Sequence, residues 1–276
     1  MIVWLASYPK SGNTWLRHLL ACYRADDAVP INDLARSGAW PHDADPQLFA
    51  HVSDQPLTDV GPEALHGLRP AVHAHIARSA PDTVCVKTHN VAGFHNGQPM
   101  FAPELTAGAV YLARDPRAVA VSWAHHGQVS LDDSIDAMNT PRRVLGSTLD
   151  GGAEAPLTLV STWSTHVASW RRFARLIPTL MVRYEDLIGD PMETLQAIAR
   201  FLGHAPDPAR TRRAIRRTSF ARVQRDEAIQ GFHEAPPGTT FFRQGTSDGW
   251  KNAMSRGQRR RIERAHHSTM ETLGYV

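Results

Sequence analysis

Short apolar runs alternate along this chain with segments in which apolar residues recur every three or four positions. The runs predict four buried strands, at residues 2–6, 83–87, 109–113 and 180–184. Buried strands separated by helical segments are typical of a parallel sheet with helices on both faces. We therefore expect one α/β domain over residues 1–276, a three-layer sandwich with a central parallel sheet.

Several helices are marked by their apolar stripes or by capping residues. Trp15, Leu19 and Tyr23 share one helix face, and positions 160, 163, 167, 170 and 174 form a second stripe. Asp190 and Ser255 have the side chains that cap a helix start.

Three polar segments fit neither pattern. Residues 26–81, 127–156 and 226–249 are rich in Pro, Gly, Asp, Ser and His, which predicts loops with short helices. Loops at the carboxyl ends of parallel strands bind ligands in open α/β folds. These segments are therefore candidates for the rim of the site that binds an acceptor substrate.

Charge and composition exclude several classes of function. A net charge of +3 favours a small anionic ligand but is too weak to predict nucleic-acid binding, and the arginine runs are typical of solvated helix faces. Cys22 and Cys85 lie in apolar patterns, which favours two reduced core thiols. No run of about 18 apolar residues predicts a membrane span. We expect a cytoplasmic protein with a small-molecule partner, and its oligomeric state stays open.

The stretch from Trp4 to Arg17 predicts a site for an anion. An apolar strand runs into a turn that contains Pro9 and Gly12, and a helix follows. A helix N-terminus favours phosphate or sulfate because its backbone N–H groups are unpaired and carry partial positive charge. Side-chain donors are added by four neighbouring residues, namely Lys10, Ser11, Asn13 and Thr14. The order of residues differs from a Walker A loop, in which the lysine follows the second glycine.

Lysine is rare in this chain: one lysine lies in the predicted anion-binding turn, one at a predicted strand end and one in a polar loop. Of the 30 basic residues only Lys10, Lys87 and Lys251 are lysine, which indicates places where a compact charge is needed. Lys87 is followed by Thr88 and by His89, an imidazole that could accept a proton from a substrate.

A third strand end carries an arginine. Arg114 follows the strand at 109–113 and Ser122 lies eight residues later, a pair that suits a phosphate monoester. We expect Arg117 to be an ordinary exposed helix charge. The triplet from Arg243 to Gly245 offers a further guanidinium and a backbone amide.

These four segments, in this order, resemble the sulfotransferases that use 3′-phosphoadenosine 5′-phosphosulfate (PAPS), and in particular a bacterial-type member of the cytosolic small-molecule branch. The resemblance spans nearly the whole chain and implies a fold related to the P-loop NTPases. It implies donor-binding roles for Lys10, Ser11, Gly12, Asn13, Thr14, Trp15, Arg114, Ser122, Tyr184, Thr218, Phe220, Phe242, Arg243, Gln244 and Gly245. Gln244 departs from the lysine that is usual there.

The same resemblance implies in-line transfer of a sulfuryl group from PAPS to a hydroxyl or amine of a small acceptor, which leaves 3′-phosphoadenosine 5′-phosphate (PAP). His89 would be the general base, with Lys10 and Lys87 compensating charge on the leaving phosphate. No metal is expected, because the histidine pairs lack companion ligands at zinc spacing. Two alternatives stay open: a P-loop-type nucleotide kinase that needs Mg²⁺, and a catalytically silent adenylate-binding module.

Overall fold

The computed structural model describes residues 1–25, 27–36, 40–146, 156–236, 238–243 and 245–276. Its strands are β1 (Ile2–Ser7), β2 (Val84–Thr88), β3 (Phe94–His95), β4 (Gln98–Pro99), β5 (Thr106–Ala113), β6 (Val144–Leu145), β7 (Thr158–Leu159) and β8 (Thr179–Arg183). Its helices are α1 (Asn13–Arg24), α2 (Asp33–Arg36), α3 (Pro46–Val52), α4 (Pro62–Gly67), α5 (Arg69–Arg78), α6 (Pro116–Gly127), α7 (Leu131–Asn139), α8 (Trp163–Phe173), α9 (Tyr184–Gly189), α10 (Pro191–Phe201), α11 (Pro208–Arg217), α12 (Phe220–Gln230), α13 (Trp250–Ala253) and α14 (Arg256–Leu273).

Four strands form a central parallel sheet in the order β2-β1-β5-β8. The predicted α/β fold is confirmed, and each predicted strand overlaps an observed one. β1 and β2 are neighbours, with Ile2 opposite Val84 and Ala6 opposite Thr88. Because the two strands run parallel, the residues that follow them leave the sheet at the same edge.

The chain partitions into two compact units. The first comprises Met1–Tyr8, Trp40–Tyr111 and Thr140–Thr179, and the second comprises Pro9–Ala39, Leu112–Asn139 and Leu180–Val276. Within the described parts of the chain, no helix combines the length and the apolar character that crossing a bilayer requires.

Aromatic side chains build the core of the first unit. Trp4 of β1 is fully buried, and its ring centroid lies 4.7 Å from that of Phe101. Its indole N–H donates to the Thr106 hydroxyl at 3.0 Å, which satisfies its polar atom inside the core. His73 stacks on Phe101 with ring planes 6° apart, and Trp170 of α8 contacts the same ring.

Amphipathic helices build the second unit. α1 packs against α11, α10 packs against α9 and α11, and α6 packs against α7, α13 and α14. Two predicted helix starts are confirmed: the Asp190 side chain accepts from the backbone N–H of Glu193 at 3.0 Å, and Ser255 with Gln258 forms a capping box. These caps satisfy N–H groups that a helix start leaves without intrahelical partners.

Some predicted boundaries differ from the structure. α8 begins at Trp163 after its cap Thr162, so Val160 precedes the helix although it shares the apolar spacing. Tyr184 was expected to end a strand and instead begins α9. The polar segments contain short helices as predicted, but α12 extends five residues into the third of them, to Gln230.

Arg117 contradicts the expectation of an exposed charge, because only 7% of it is exposed. Asp115 caps α6 by accepting from the backbone N–H of Arg117 at 2.9 Å, and the guanidinium folds back onto that carboxylate at 2.7 Å. The guanidinium also donates to Glu263 of α14 at 2.8 Å and lies 4.0 Å from the ring centroid of Trp250. Two carboxylates neutralise this charge, which makes its burial tolerable.

Acid should destabilise the first unit through His73. Burial lowers the pKa of His73 to about 3, whereas the unfolded side chain has a pKa of about 6.5. Between these values the unfolded chain binds the additional proton, so stability must fall as the pH drops from about 6.5 toward 3. We expect a smaller loss of melting temperature between pH 7 and pH 4 in His73→Phe, which keeps the stack on Phe101. Parallel pH profiles of the two proteins would contradict this assignment.

Candidate functional site

The turn between β1 and α1, residues 10–12, has an unusual backbone. Lys10 has a φ of 67° and Gly12 a φ of 98°, both in the left-handed region. α1 then begins at Asn13, and within the described chain its first turn has no side-chain cap and no acidic residue. Such a helix start leaves N–H groups without intrahelical partners at the positive end of the helix dipole. The β1–α1 turn therefore has the backbone properties of an anion site, and anion binding there stays a prediction.

Position 12 requires a glycine because an aromatic ring lies directly against its backbone. A Cβ atom at Gly12 would lie 2.5 Å from Cδ2 of Tyr184, and the positive φ further disfavours other residues. The Trp15 ring centroid lies 5.9 Å from that of Tyr184, and its indole N–H donates to the Thr218 carbonyl at 2.9 Å. The structure thus brings together residues predicted from three distant segments.

Ser11 has a hydroxyl that lacks a partner. The residue is fully buried, and the structure shows no hydrogen-bond partner for its Oγ among the described residues. Leaving a buried polar atom unsatisfied costs about 1–3 kcal/mol. An anion held at the β1–α1 turn would accept this hydrogen bond and remove that cost.

Arg114 joins the β1–α1 turn to two other predicted segments. Its Nη1 donates to the Lys10 carbonyl at 2.9 Å, and its guanidinium carbon lies 4.3 Å from the ring centroid of Tyr184. Nη2 lies 3.4 Å from the Thr246 carbonyl, and Nε has no partner among the residues described. Arg114 therefore holds the turn in place, and its Nε–H can still donate a hydrogen bond to a ligand beside the turn.

Residues that precede Arg243 also approach the turn. The Lys10 ammonium lies 4.1 Å from the ring centroid of Phe241, a cation–π distance. The Glu227 carboxylate accepts from the backbone N–H of Phe242 at 2.9 Å, and Gln224 donates to the Phe242 carbonyl at 2.8 Å. Sequence reasoning missed Glu227, although its position four residues after buried Val223 indicated a carboxylate on an apolar helix face.

The other residues predicted to bind the nucleotide have different surroundings in the structure. Gly245 has a φ of 61°, and a Cβ there would overlap the ring of Phe220, so this backbone lies against the first residue of α12. Arg243 is exposed and Ser122 is half-buried on α6. Gln244 lies outside the described residues.

A carboxylate that the sequence analysis missed binds the first turns of α1. The Thr14 hydroxyl donates to Glu234 at 3.1 Å, and Arg17 donates to the other carboxylate oxygen at 2.6 Å. Arg17 is only 2% exposed. An arginine on the buried face of α1 was the sequence signal that an acidic partner must exist. An anion that approaches Thr14 competes with Glu234 for the same hydroxyl.

In the first unit, the geometry of His89 determines which ring nitrogen can act as a base. Nδ1 lies 2.8 Å from the Ser7 carbonyl oxygen, which can only accept. Nδ1 therefore carries the proton, and the basic lone pair lies on Nε2. Ser7 directly precedes the segment that leads to Lys10 in the chain.

A buried relay holds the backbone of His89. His166 donates from Nε2 to the His89 carbonyl at 3.0 Å, and its Nδ1 accepts from the Tyr111 hydroxyl at 2.9 Å. Burial lowers the pKa of His166 to about 4 and raises that of Tyr111 well above 10. Both groups are therefore neutral at physiological pH, and the relay fixes His89 without adding charge.

The two other lysines have different environments. Lys87 is half-buried, and its backbone N–H donates to the Pro41 carbonyl at 2.8 Å, while its carbonyl accepts from Asp43 at 3.1 Å. Lys251 is exposed and pairs with Asp248 at 3.1 Å. The structure thus gives Lys251 an ordinary surface ion pair.

A family model of the sulfotransferase domain matches residues 2–274 of this chain. Sulfotransferase 1B1 from Canis lupus familiaris is 25% identical over 266 residues, which cover 94% of this chain and 80% of that protein. Sulfotransferase 1A1 from Rattus norvegicus is 23% identical, with 96% of this chain and 83% of the relative covered.

Solved structures show the same fold. Mouse sulfotransferase SULT7A1 complexed with PAP has a TM-score of 0.63 at 19% identity, over 97% of this chain and 83% of that one. A retinol dehydratase in complex with retinol and PAP has a TM-score of 0.63 at 20% identity, over 98% and 81% of the two chains.

The tautomer of His89 can be measured directly. We expect long-range ¹H–¹⁵N spectra of protein with ¹⁵N-labelled histidine, recorded near pH 8, to show His89 protonated at Nδ1, because the Ser7 carbonyl accepts there. His166 is an internal comparison, since its bonds require the opposite tautomer. A His89→Gln variant assigns the signal. Protonation of His89 at Nε2 would exclude the base geometry described above.

Proposed function

The chain belongs to the sulfotransferase family, and we propose that residues 1–276 form one domain that transfers a sulfuryl group from PAPS to a hydroxyl or amine of a small-molecule acceptor. The observation that carries the donor assignment is Arg114, which binds the β1–α1 turn through the Lys10 carbonyl while it lies over Tyr184. The SULT7A1 and retinol dehydratase complexes contain PAP, and this supports the same product here.

The donor's phosphosulfate is assigned to the β1–α1 turn. Fully buried Ser11 lacks a hydrogen-bond partner in the described chain, which fits a ligand that supplies an acceptor oxygen. The α1 N-terminus and the Lys10 ammonium add positive charge. Gly12, Asn13 and Thr14 complete this part of the assignment.

The nucleoside end of the donor is assigned to the aromatic residues around the turn. Trp15, whose orientation is fixed by the Thr218 carbonyl, would stack on the adenine beside Tyr184. Phe220 and Phe242 contribute further apolar surface. The 3′-phosphate is assigned to a set of polar donors, namely Arg114, Ser122, Arg243, Gln244 and Gly245.

The bound donor supplies a sulfuryl group whose bond to the bridging phosphate oxygen breaks as the bond to the acceptor atom forms. His89 takes the acceptor's proton at Nε2, the nitrogen left basic by the Ser7 contact. The electron pair of the broken bond stays on the phosphate oxygen, and Lys10 and Lys87 are assigned to compensate the negative charge that develops there. A positioned base contributes about 10²–10⁴-fold to rate.

The acceptor class and the cellular location are parts of the proposal. The complex of retinol dehydratase with retinol supports a small organic alcohol as the acceptor class. Cys22 and Cys85, the two cysteines of the sequence, are both buried and are not joined in a disulfide, which supports a reducing, cytoplasmic location.

Nucleotide binding tests the function. We expect PAP to bind at least about tenfold tighter than ADP, in EDTA and without Mg²⁺, because only PAP offers a 3′-phosphate to the arginine and serine donors. Calorimetry on Ser122→Ala should show weaker PAP binding and unchanged ADP binding, while Ser268→Ala on the exposed face of α14 changes neither. Equal affinity for the two nucleotides, or a requirement for Mg²⁺, would favour the kinase alternative.

Turnover tests the base. His89→Asn should lower sulfuryl transfer from ³⁵S-labelled PAPS to a panel of simple phenols and alcohols by at least about 10²-fold, the lower range for a lost general base. PAP affinity should stay nearly unchanged, since no donor contact is assigned to His89. His267→Asn, on the exposed face of α14, is the control. Wild-type turnover in His89→Asn would leave His89 with a structural role, and PAP binding without turnover in the native chain would favour the silent module.

A further inference from the structure

A buried carboxylate lies beneath the segment that carries Lys87 and His89. Asp43 is fully buried. Its Oδ2 accepts from the Thr88 hydroxyl at 2.9 Å, from Asn90 Nδ2 at 2.8 Å and from Arg69 Nη1 at 3.2 Å. Two of these three donors are therefore the residues on either side of His89 in the chain.

Side chains alternate along the segment that runs from Lys87 at the end of β2 to Asn90. Thr88 and Asn90 share one side, because both donate to the same Asp43 oxygen. Burial follows the same alternation, because Thr88 and Asn90 are fully buried whereas Lys87 and His89 are half-buried. Asp43 thus holds the inner side of a segment whose outer side carries the proposed base.

Further hydrogen bonds make this segment rigid. The Thr88 hydroxyl accepts from the backbone N–H of Asn90 at 3.1 Å, and Asn90 Oδ1 accepts from Leu159 at 2.7 Å. The backbone N–H of Asp43 donates to the Lys87 carbonyl at 3.1 Å. A rotation of the segment that moved His89 would break several of these bonds together.

Arg69 offsets the charge of Asp43. Arg69 is buried, and it donates to both the side chain and the carbonyl of Asp43 and to the Leu157 carbonyl at 2.8 Å. Burial raises the pKa of Asp43, and Arg69 is the largest influence that lowers it. A buried ion pair of this kind adds little net stability compared with apolar packing.

We propose that Asp43 is a positioning residue for sulfuryl transfer: through Thr88 and Asn90 it sets the placement of His89 and Lys87. The proposal rests on the proposed function, in which His89 is the base. Asp43 acts through its neighbours and is not assigned a contact with donor or acceptor. Its effect on catalysis follows from the sensitivity of proton transfer to small displacements.

Matched substitutions at Thr88 test the proposal. Thr88→Val keeps the shape of the side chain but removes the hydroxyl that donates to Asp43, and Thr88→Ser restores a hydroxyl. We expect Thr88→Val to lower kcat about 10- to 100-fold with PAP affinity unchanged, because a misplacement of about 1 Å costs up to that factor. Thr88→Ser should recover most of the activity.

Arg69→Lys is the comparison on the other side of Asp43. It keeps a positive charge next to the carboxylate and leaves Thr88 and Asn90 in place, so melting temperature should fall while kcat stays close to that of the native chain. If Arg69→Lys and Thr88→Val lower kcat and melting temperature in the same proportion, Asp43 has only a structural role and the proposal is wrong.

The ¹⁵N signal of His89 separates this proposal from the proposed function. Thr88→Val and Asp43→Asn should lose the single Nδ1–H tautomer of His89, whether or not an acceptor has been identified. An unchanged tautomer together with unchanged kcat in Thr88→Val overturns the positioning role. Absence of any sulfuryl transfer in the native chain counts against the proposed function, and the tautomer then decides the role of Asp43 alone. If Asp43→Asn does not fold, the Thr88 pair carries the test.

Discussion

The left-handed turn at residues 10–12 is the constraint on which the donor-binding assignment depends. A non-glycine residue in this conformation costs about 1–2 kcal/mol, and Lys10 adopts it without the freedom of glycine. The hydrogen bond from Arg114 to the Lys10 carbonyl offsets part of that cost. Because Gly12 and Tyr184 are in contact, the turn, the aromatic residues and the arginine cannot be changed independently. One strained turn therefore places a helix N-terminus, an ammonium group and a guanidinium within one unit.

The segment around His89 is held by a different kind of chemistry. The Tyr111–His166 relay consists of neutral groups, since burial disfavours the charged form of both. Asp43 and Arg69 are the charged part of the network, and they lie on the inner side of the segment. A base needs a fixed orientation and a lone pair on the correct nitrogen. The neutral contacts of His89 provide both without placing another charge directly on its ring.

Sequence patterns predicted the elements and the residue types of the site better than the partners of those residues. Local spacing was enough to predict the ends of two strands, near Lys87 and Arg114, and the turn at Gly12, because strands and turns have short-range sequence signatures. Arg117, Glu227 and Asp43 could not be placed in the same way. Arg117 bonds to neighbouring Asp115 but also to distant Glu263, and the partners of Glu227 and Asp43 lie outside their own elements. One sequence does not show which buried carboxylate meets which donor. Burial of a charged residue on an apolar face was the only local sign that such a pair existed.

Glu234 shows why contacts alone do not determine affinity for the donor. Its carboxylate already bonds to the Thr14 hydroxyl and to buried Arg17, so the first turns of α1 bind an anionic group from within the chain. A ligand anion that takes the Thr14 hydroxyl gains only the difference between its own contacts and those it replaces. The Ser11 hydroxyl involves no such exchange, because no described residue accepts from it. The net gain at the β1–α1 turn therefore depends on Ser11 and the helix N-terminus more than on Thr14.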